Sequence, residues 1–432
     1  MSVLTFAATG DSFITRHLPP GDVAAREVSA IINAAQVRFT NLETVLRREN
    51  EGFPSAQSGG TWASTPPEML DDLLSYGFNA IAWANNHTLD YSYGGLEATQ
   101  QYLDEAPVVH AGAGQNLAQA AAVRYIECEG GRVALIAATS TFHESWLAGA
   151  QRPEIAGRPG VNPLRFERRY RVSPAQLKQL QTMAGGCGIN TEHNLRVKEG
   201  FATADKEGVF RFGDQLFEAA DEAGEFTTAS PRDLKRFEKL IDEAKRQADV
   251  VLVSIHTHEM KDGHKDLPPD FLVEFARHCI DHGAHAIIGH GPHILRGLEI
   301  YKQCPIFYSL GNFIFHNETV PSLPADFYEK YNLDGDVHVA EALETRSAGD
   351  TRGLGANPKV AHSVIARWEM KDGHLTQIEL IPIEMGFGEK RYQRGWPRLT
   401  KSTAPLKELQ QLSEPFGTRL QIRNGRAKVI LK

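Results

Sequence analysis

Two patterns of apolar positions alternate along this chain. One is a short unbroken run, rich in β-branched residues; the other is a longer segment in which apolar residues return every three or four positions. Runs of the first kind suit strands buried on both faces, and segments of the second kind suit crossover helices, so their alternation predicts an α/β fold. Strands are expected at Val3–Ala8, Val37–Asn41, Ala80–Ala84, Val133–Ala138, Val250–Ile255, Ala286–Gly289 and Ile306–Leu310. Helix starts are legible at Thr65-Pro66-Pro67-Glu68 and Ser230-Pro231-Arg232-Asp233, each with a cap residue, an early proline and a first-turn acid.

From about residue 150 to 229 the pattern loosens into clustered Gly, Pro and charge, including the basic run Arg165 to Arg171. This reads as an insertion over one edge of the core, with a substrate lid as its expected role. Further on, Lys371-Asp372-Gly373-His374 and Arg423-Asn424-Gly425-Arg426 carry the Asp-Gly and Asn-Gly pairs of type I′ hairpins, which predicts added antiparallel strands. The organisation expected is a core over residues 1–400 with the insertion, and a C-terminal helix and hairpin over 401–432 packed on it.

Composition changes this picture little. The chain has 432 residues, 41% hydrophobic and 23% charged, which is enough to bury a sizeable core. Its net charge of -8 argues against a nucleic-acid or anionic-membrane partner, either of which calls for a basic stripe. The start, MSVLTFAATGDSF, has no basic n-region, and no apolar run reaches the roughly 18 residues of a membrane span. Cys128, Cys187, Cys279 and Cys304 lie far apart without a CxxC, as reduced cysteines of a cytoplasmic protein would. Oligomeric state is not legible.

The chemistry collects where the expected strands end. Gly10-Asp11, Asn41-Leu42-Glu43, Asn85-Asn86-His87 with Asp90, His256-Thr257-His258-Glu259 and His290-Gly291-Pro292-His293 all follow apolar runs. Open α/β sheets build their sites at that edge. Singly, each has an ordinary explanation: Asp11 as a helix cap, Asn85 as a turn residue, His258 as a surface histidine. Jointly they supply carboxylates, amides and imidazoles, a set suited to one or two divalent cations such as Mn, Ca, Mg, Fe or Zn, with no thiolate to single out zinc.

In this order, those motifs, extended by Gly94-Gly95 after Asp90 and by Tyr308-Ser309-Leu310-Gly311-Asn312-Phe313, make the chain resemble the CapA-type family of poly-γ-glutamate capsule biosynthesis. That family is similar in fold to calcineurin-like metallophosphoesterases. The matching stretches run from Thr9 to about Phe315. The resemblance implies central sheets flanked by helices, in α+β layers. It implies metal ligands at Asp11, Glu43, Asn86, His256 and one or both of His290 and His293, with His87 as a general acid/base. It leaves Asn85, Asp90, His258 and Glu259 as groups that orient the ligands or touch substrate, and Asn312 as a substrate contact.

Departures narrow the chemistry. Phe13 stands where metallophosphoesterases carry the histidine of Asp-x-His, the second motif ends on Glu43, and the closing motif is stretched to Gly-His-Gly-Pro-His. One ligand of a two-metal phosphate clamp is thereby lost, which argues against ordinary phosphatase activity. Two reactions suit what remains on a peptide or polyglutamyl substrate. The preferred one is Cα epimerisation, as in relatives that act on ribosomally made peptides, with His87 (beside or oriented by Asp11) on one face and His293 on the other. The alternative is metal-dependent hydrolysis of a peptide, polyglutamyl or phosphoester bond. A non-catalytic binding protein that kept an old site is a third reading, set against the intact His87, His256 and His293. The Arg165 to Arg171 run is a candidate grip for an anionic leader or polyglutamyl chain.

Overall fold

A computed structural model describes residues 3–431. Two β-sheets lie face to face, each covered on its outer side by helices. Named from one edge to the other, the first comprises strands Leu420–Arg423, Arg426–Val429, His374–Glu384, His362–Lys371, Val3–Phe13, Val37–Leu42, Ala80–Ala82 and Val109–Ala111, with Asn312–Phe315 also paired to Val3–Phe13. The second runs Leu295–Tyr301, Cys304–Leu310, Ala286–His290, Val250–His256, Gly131–Thr139 and Arg124–Cys128. All seven expected strands are present.

The period-two alternation of strand side chains sorts them into layers. Phe6, Ala8, Phe39, Leu135, Ala137, Val250, Leu252 and Ile288 face the space between the sheets, where Phe6 stacks on Trp368 at 4.8 Å. Ala7 and Ile81 point outward to helices Val23–Asn33, Met69–Leu74 and Ser92–Glu105. Ala134, Ile136, Val251 and Val253 point outward to helices Pro231–Gln247 and Asp270–Asp281. Strands buried on both faces explain the unbroken apolar runs. Asp372 and Asn424, followed by Gly373 and Gly425, all have positive φ, as type I′ turns require.

Three expectations change. The helix anticipated at Thr65 begins at Met69, because Thr65 lies in a two-residue strand paired with Leu46 and the prolines form a turn, with Met69 N–H donating to Pro66 O. Ser230 does cap helix Pro231–Gln247, yet without a side-chain hydrogen bond; Asp233 of the first turn binds Arg165 and Arg236 instead. The insertion is ordered: strands Phe166–Val172, Val209–Phe212, Gln215–Ala219 and Gly224–Ala229 form a small sheet with two helices. It hangs on helix Asp270–Asp281, where Phe166 stacks on Phe271 at 4.2 Å. Its arginines are spent internally: Arg168 pairs with Glu225, Arg169 with Glu167 and Glu218, and Arg171 with Glu218. That leaves little of the expected basic grip.

Among the described residues, no helix is long and apolar enough to cross a membrane.

Candidate metal centre

The parallel strands deliver their C-terminal ends to one place. In the first sheet Asp11 sits opposite Asn41 and Asn312; in the second His256 sits opposite His290. The crossing is tight: a Cβ on Gly10 would lie 1.8 Å from Gly311 O, so only glycine lets strand Val3–Phe13 approach closely enough for Asp11 N–H to bond Gly311 O at 3.1 Å.

Asp11 is fully buried and held by two donors, Asn41 Nδ2 and the Gly291 amide, each at 2.8 Å. Its Oδ1 lies 3.5 Å from His256 Nδ1 and 3.4 Å from His290 Nδ1. Burial pushes the carboxyl up, but the contacts with His256 and His290 outweigh that and hold it well below the usual carboxylate range. Glu43 goes the other way. Burial, with Asp11 and Asp90 as neighbouring negative charges, holds it well above that range.

Neither Glu43 oxygen has a hydrogen-bond partner, and neither has His258 Nε2. Burying such groups unpaired is costly. They nonetheless converge: Glu43 Oε1 is 3.5 Å from His256 Nε2 and 3.7 Å from His258 Nε2, and Oε2 is 3.7 Å from His293 Nδ1. In three overlapping sets, Asp11–His256–His290, Glu43–His256–His258 and Asp11–Glu43–His293, the donor atoms lie within 4.8 Å of one another, a spacing one small cation can span. Asn86 Oδ1, 2.8 Å from His256 Nε2, joins the second set. Burial lowers His256 to about 4 and His293 to about 3, so both are neutral imidazoles at pH 7. A carboxylate and an imidazole nitrogen left unpaired, Glu43 and His258 Nε2, among further carboxylate and imidazole groups fit a hard-to-borderline divalent cation.

Orienting groups surround these donors. Ser254 Oγ is 2.8 Å from His290 Nε2. Asn85 donates to Leu42 O and accepts the His87 amide. Glu259 turns away to the Ser140 and Thr141 hydroxyls, and Thr141 Oγ1 takes the His258 amide. His258 itself, placed among supporting groups by the sequence reading, has its free nitrogen among the donors.

Beside the cluster lies a cavity of about 280 Å³ lined on this side by Phe13, His87, His258, Lys265 and His293. Asp90, fixed by the Gly59 and Ala63 amides, accepts from His87 Nδ1 at 2.6 Å. Asn312 donates to His293 O and Val360 O, so its Oδ1 accepts from His293 Nδ1 at 2.9 Å. In both imidazoles that leaves Nε2 with the lone pair. His293 holds a left-handed φ of 60°, a strained conformation typical of functional sites. Phe13 sits edge-on to His87 at 5.3 Å, an apolar ring where a ligand histidine was missed.

The cavity's other wall was not foreseen. It comes from Asn317 to Gly355 and includes Arg346 and Arg352, while no residue from 150 to 229 lines it. Lys265, which burial and Arg296 lower to about 8, was missed too. Neither stretch carries a motif. A strand-end reading cannot see a wall built by loops and short helices.

Comparison with known proteins bears on these residues. Residues 5–317 match the family described as bacterial capsule synthesis protein PGA_cap. The chain is similar to the uncharacterized protein y4sH of Sinorhizobium fredii, 36% identical over 97% of this chain and 91% of that one. It is 26% identical to the capsule biosynthesis protein CapA of Bacillus anthracis, over 72% of this chain and 60% of that one. A solved putative 5'-nucleotidase from Staphylococcus aureus, in complex with alpha-ketoglutarate, aligns with a TM-score of 0.37 at 12% identity, covering 96% of this chain and 58% of that one.

Proposed function

The chain belongs to the bacterial capsule synthesis protein family, and from that premise we propose that it is a divalent-metal-dependent enzyme catalysing acid–base chemistry on a peptide or polyglutamyl chain, preferentially epimerisation at Cα. The observation that carries this reading is the pair of cavity-lining imidazoles, His87 and His293, each tied through Nδ1 by its own partner and each left with a free Nε2. Asp11, Glu43, Asn86, His256, His258 and His290 would hold the cation. When bound there, it supplies positive charge that polarises a substrate carbonyl and acidifies the adjacent C–H.

The chain's own residues then move the proton. One imidazole Nε2 takes the proton from Cα, and the other, first protonated at Nε2 from solvent, delivers that proton to the opposite face; the proton taken from Cα then returns to solvent, so the bond broken and the bond formed are both Cα–H and nothing is oxidised or reduced. Asp90 stabilises the imidazolium formed on His87, and Asn312 keeps the His293 tautomer. Phe13 closes one side of His87 against water. The four free cysteines suit the reducing cytoplasm as the working compartment.

Hydrolysis of the same chain is the second reading, favoured by the His87–Asp90 pair, which alone suffices to protonate a leaving amine. Incubating candidate peptides in heavy water separates the two. The preferred reading predicts deuterium entering an uncleaved peptide, with the rate falling about a hundredfold or more in His87→Gln. Cleavage without exchange would select hydrolysis, and neither would overturn both.

A further inference from the structure

In the wall formed by residues 317–355, Arg346 and Arg352 line the cavity without an ion pair among the described residues, although Glu318 lies near enough to Arg346 to favour its charge. Arg346 lies in the last turn of helix Val339–Ser347, half-buried, its guanidinium donating to Thr61 Oγ1 and resting on Phe327 at 5.7 Å. Arg352 donates Nε to Arg346 O at 3.0 Å. Neither arginine has a carboxylate within ion-pair reach among the described residues; Glu318, the acid in this wall, is taken by Arg394 and Arg391, and Lys265 feels Glu43 and Asp11 only at longer range. Arg168, Arg169 and Arg171 of the insertion and Arg398, by contrast, each meet a carboxylate. Holding a guanidinium partly desolvated without a counter-charge costs stability unless an anion arrives with the ligand.

Resting on the reading of the cavity given above, we propose that this wall is a carboxylate-binding subsite in which Arg346, supported by Arg352 and Lys265, selects substrates bearing a free acidic side chain. A planar fork matches a carboxylate in bidentate fashion. The C-terminal carbonyls of helix Val339–Ser347, which carry partial negative charge beside Arg346, favour a singly charged carboxylate over a phosphate dianion. Arg346 acts in binding and takes no part in the proton transfer.

Isothermal titration of the full chain with a tetraglutamate peptide and its tetraglutamine counterpart tests this. The unaltered chain should bind tetraglutamate at least about tenfold more tightly, Arg346→Gln should erase the preference, and Arg346→Lys should keep part of it. Arg352→Gln, an exposed change without consequence for folding, should narrow the preference by a smaller factor. Equal affinity for the two peptides, no binding of either at millimolar concentration, or an undiminished preference in Arg346→Gln overturns the subsite. Displacement of tetraglutamate by inorganic phosphate more strongly than by acetate overturns the choice of a carboxylate. Binding is read without turnover, so a tetraglutamate preference without proton exchange would reject the reaction and keep the subsite. Exchange on both peptides at equal affinity would do the reverse.

Discussion

Replacing His256 with alanine should abolish cation binding and, with it, turnover. His256 belongs to two of the three donor sets, and its one lone pair can serve either, through Nδ1 beside Asp11 and His290 or through Nε2 beside Glu43 and Asn86. Without it, the two carboxylates lose the imidazole between them. A cation that polarises a carbonyl contributes several kcal/mol to the barrier, so kcat/KM should fall by about a thousandfold or more. A second readout needs no substrate. A cation at a thousand times its Kd stabilises the fold by about 4 kcal/mol, and the thermal midpoint of the unaltered protein should rise accordingly while that of His256→Ala stays put. Equal cation-induced stabilisation in both proteins would remove His256 from the ligand set.

The second large effect is acid destabilisation of the metal-free protein. Burial lowers His256 to about 4 and His293 to about 3, against an ordinary value near 6.5. A base whose folded pKa is depressed binds fewer protons in the folded state, so its contribution is intact above about 6.5 and is lost as pH falls towards the folded value. Between pH 6.5 and 5 the two together cost roughly 4 kcal/mol, at about 1.4 kcal/mol per unit each. Burial also lowers His110, His258, His285 and His316. Glu43 and Asp90 are raised by burial and act in the opposite sense, since they gain protons on folding. His256 and His293 set the expected direction, a falling urea midpoint from pH 7 to 5. A flat midpoint across that range would show that these histidines are solvated.

What the sequence made legible follows from how local each signal is. The hairpins at Asp372-Gly373 and Asn424-Gly425 were readable because two adjacent residues determine the turn, and the buried strands because a run such as Val250 to Ile255 has few other uses. The donor cluster was partly readable for the same reason: each of its members lies at or within a few residues of a strand's end, and parallel strands end together. Its inner division of labour was not, because it depends on distances across sheets. His258 has the sequence signature of a surface histidine, and only the approach of Glu43 makes it a donor. The Arg165 to Arg171 run looked like a ligand grip because its partners Glu218, Glu225 and Asp233 lie about fifty or more positions away. The cavity's outer wall was invisible for a related reason. Arg346 gains meaning only from a buried position with no acid paired to it.

All of this chemistry needs a cation at Asp11, Glu43 and the histidines, which metal analysis of the purified protein, dialysed against Mn, Zn, Fe, Mg or Ca in turn, reads without any substrate. At least one equivalent of a divalent cation should be retained by the unaltered chain and lost from a folded Glu43→Gln, His256→Ala double variant. A chain that keeps no cation above trace in any of these buffers, with both residues intact, would contradict the metal centre.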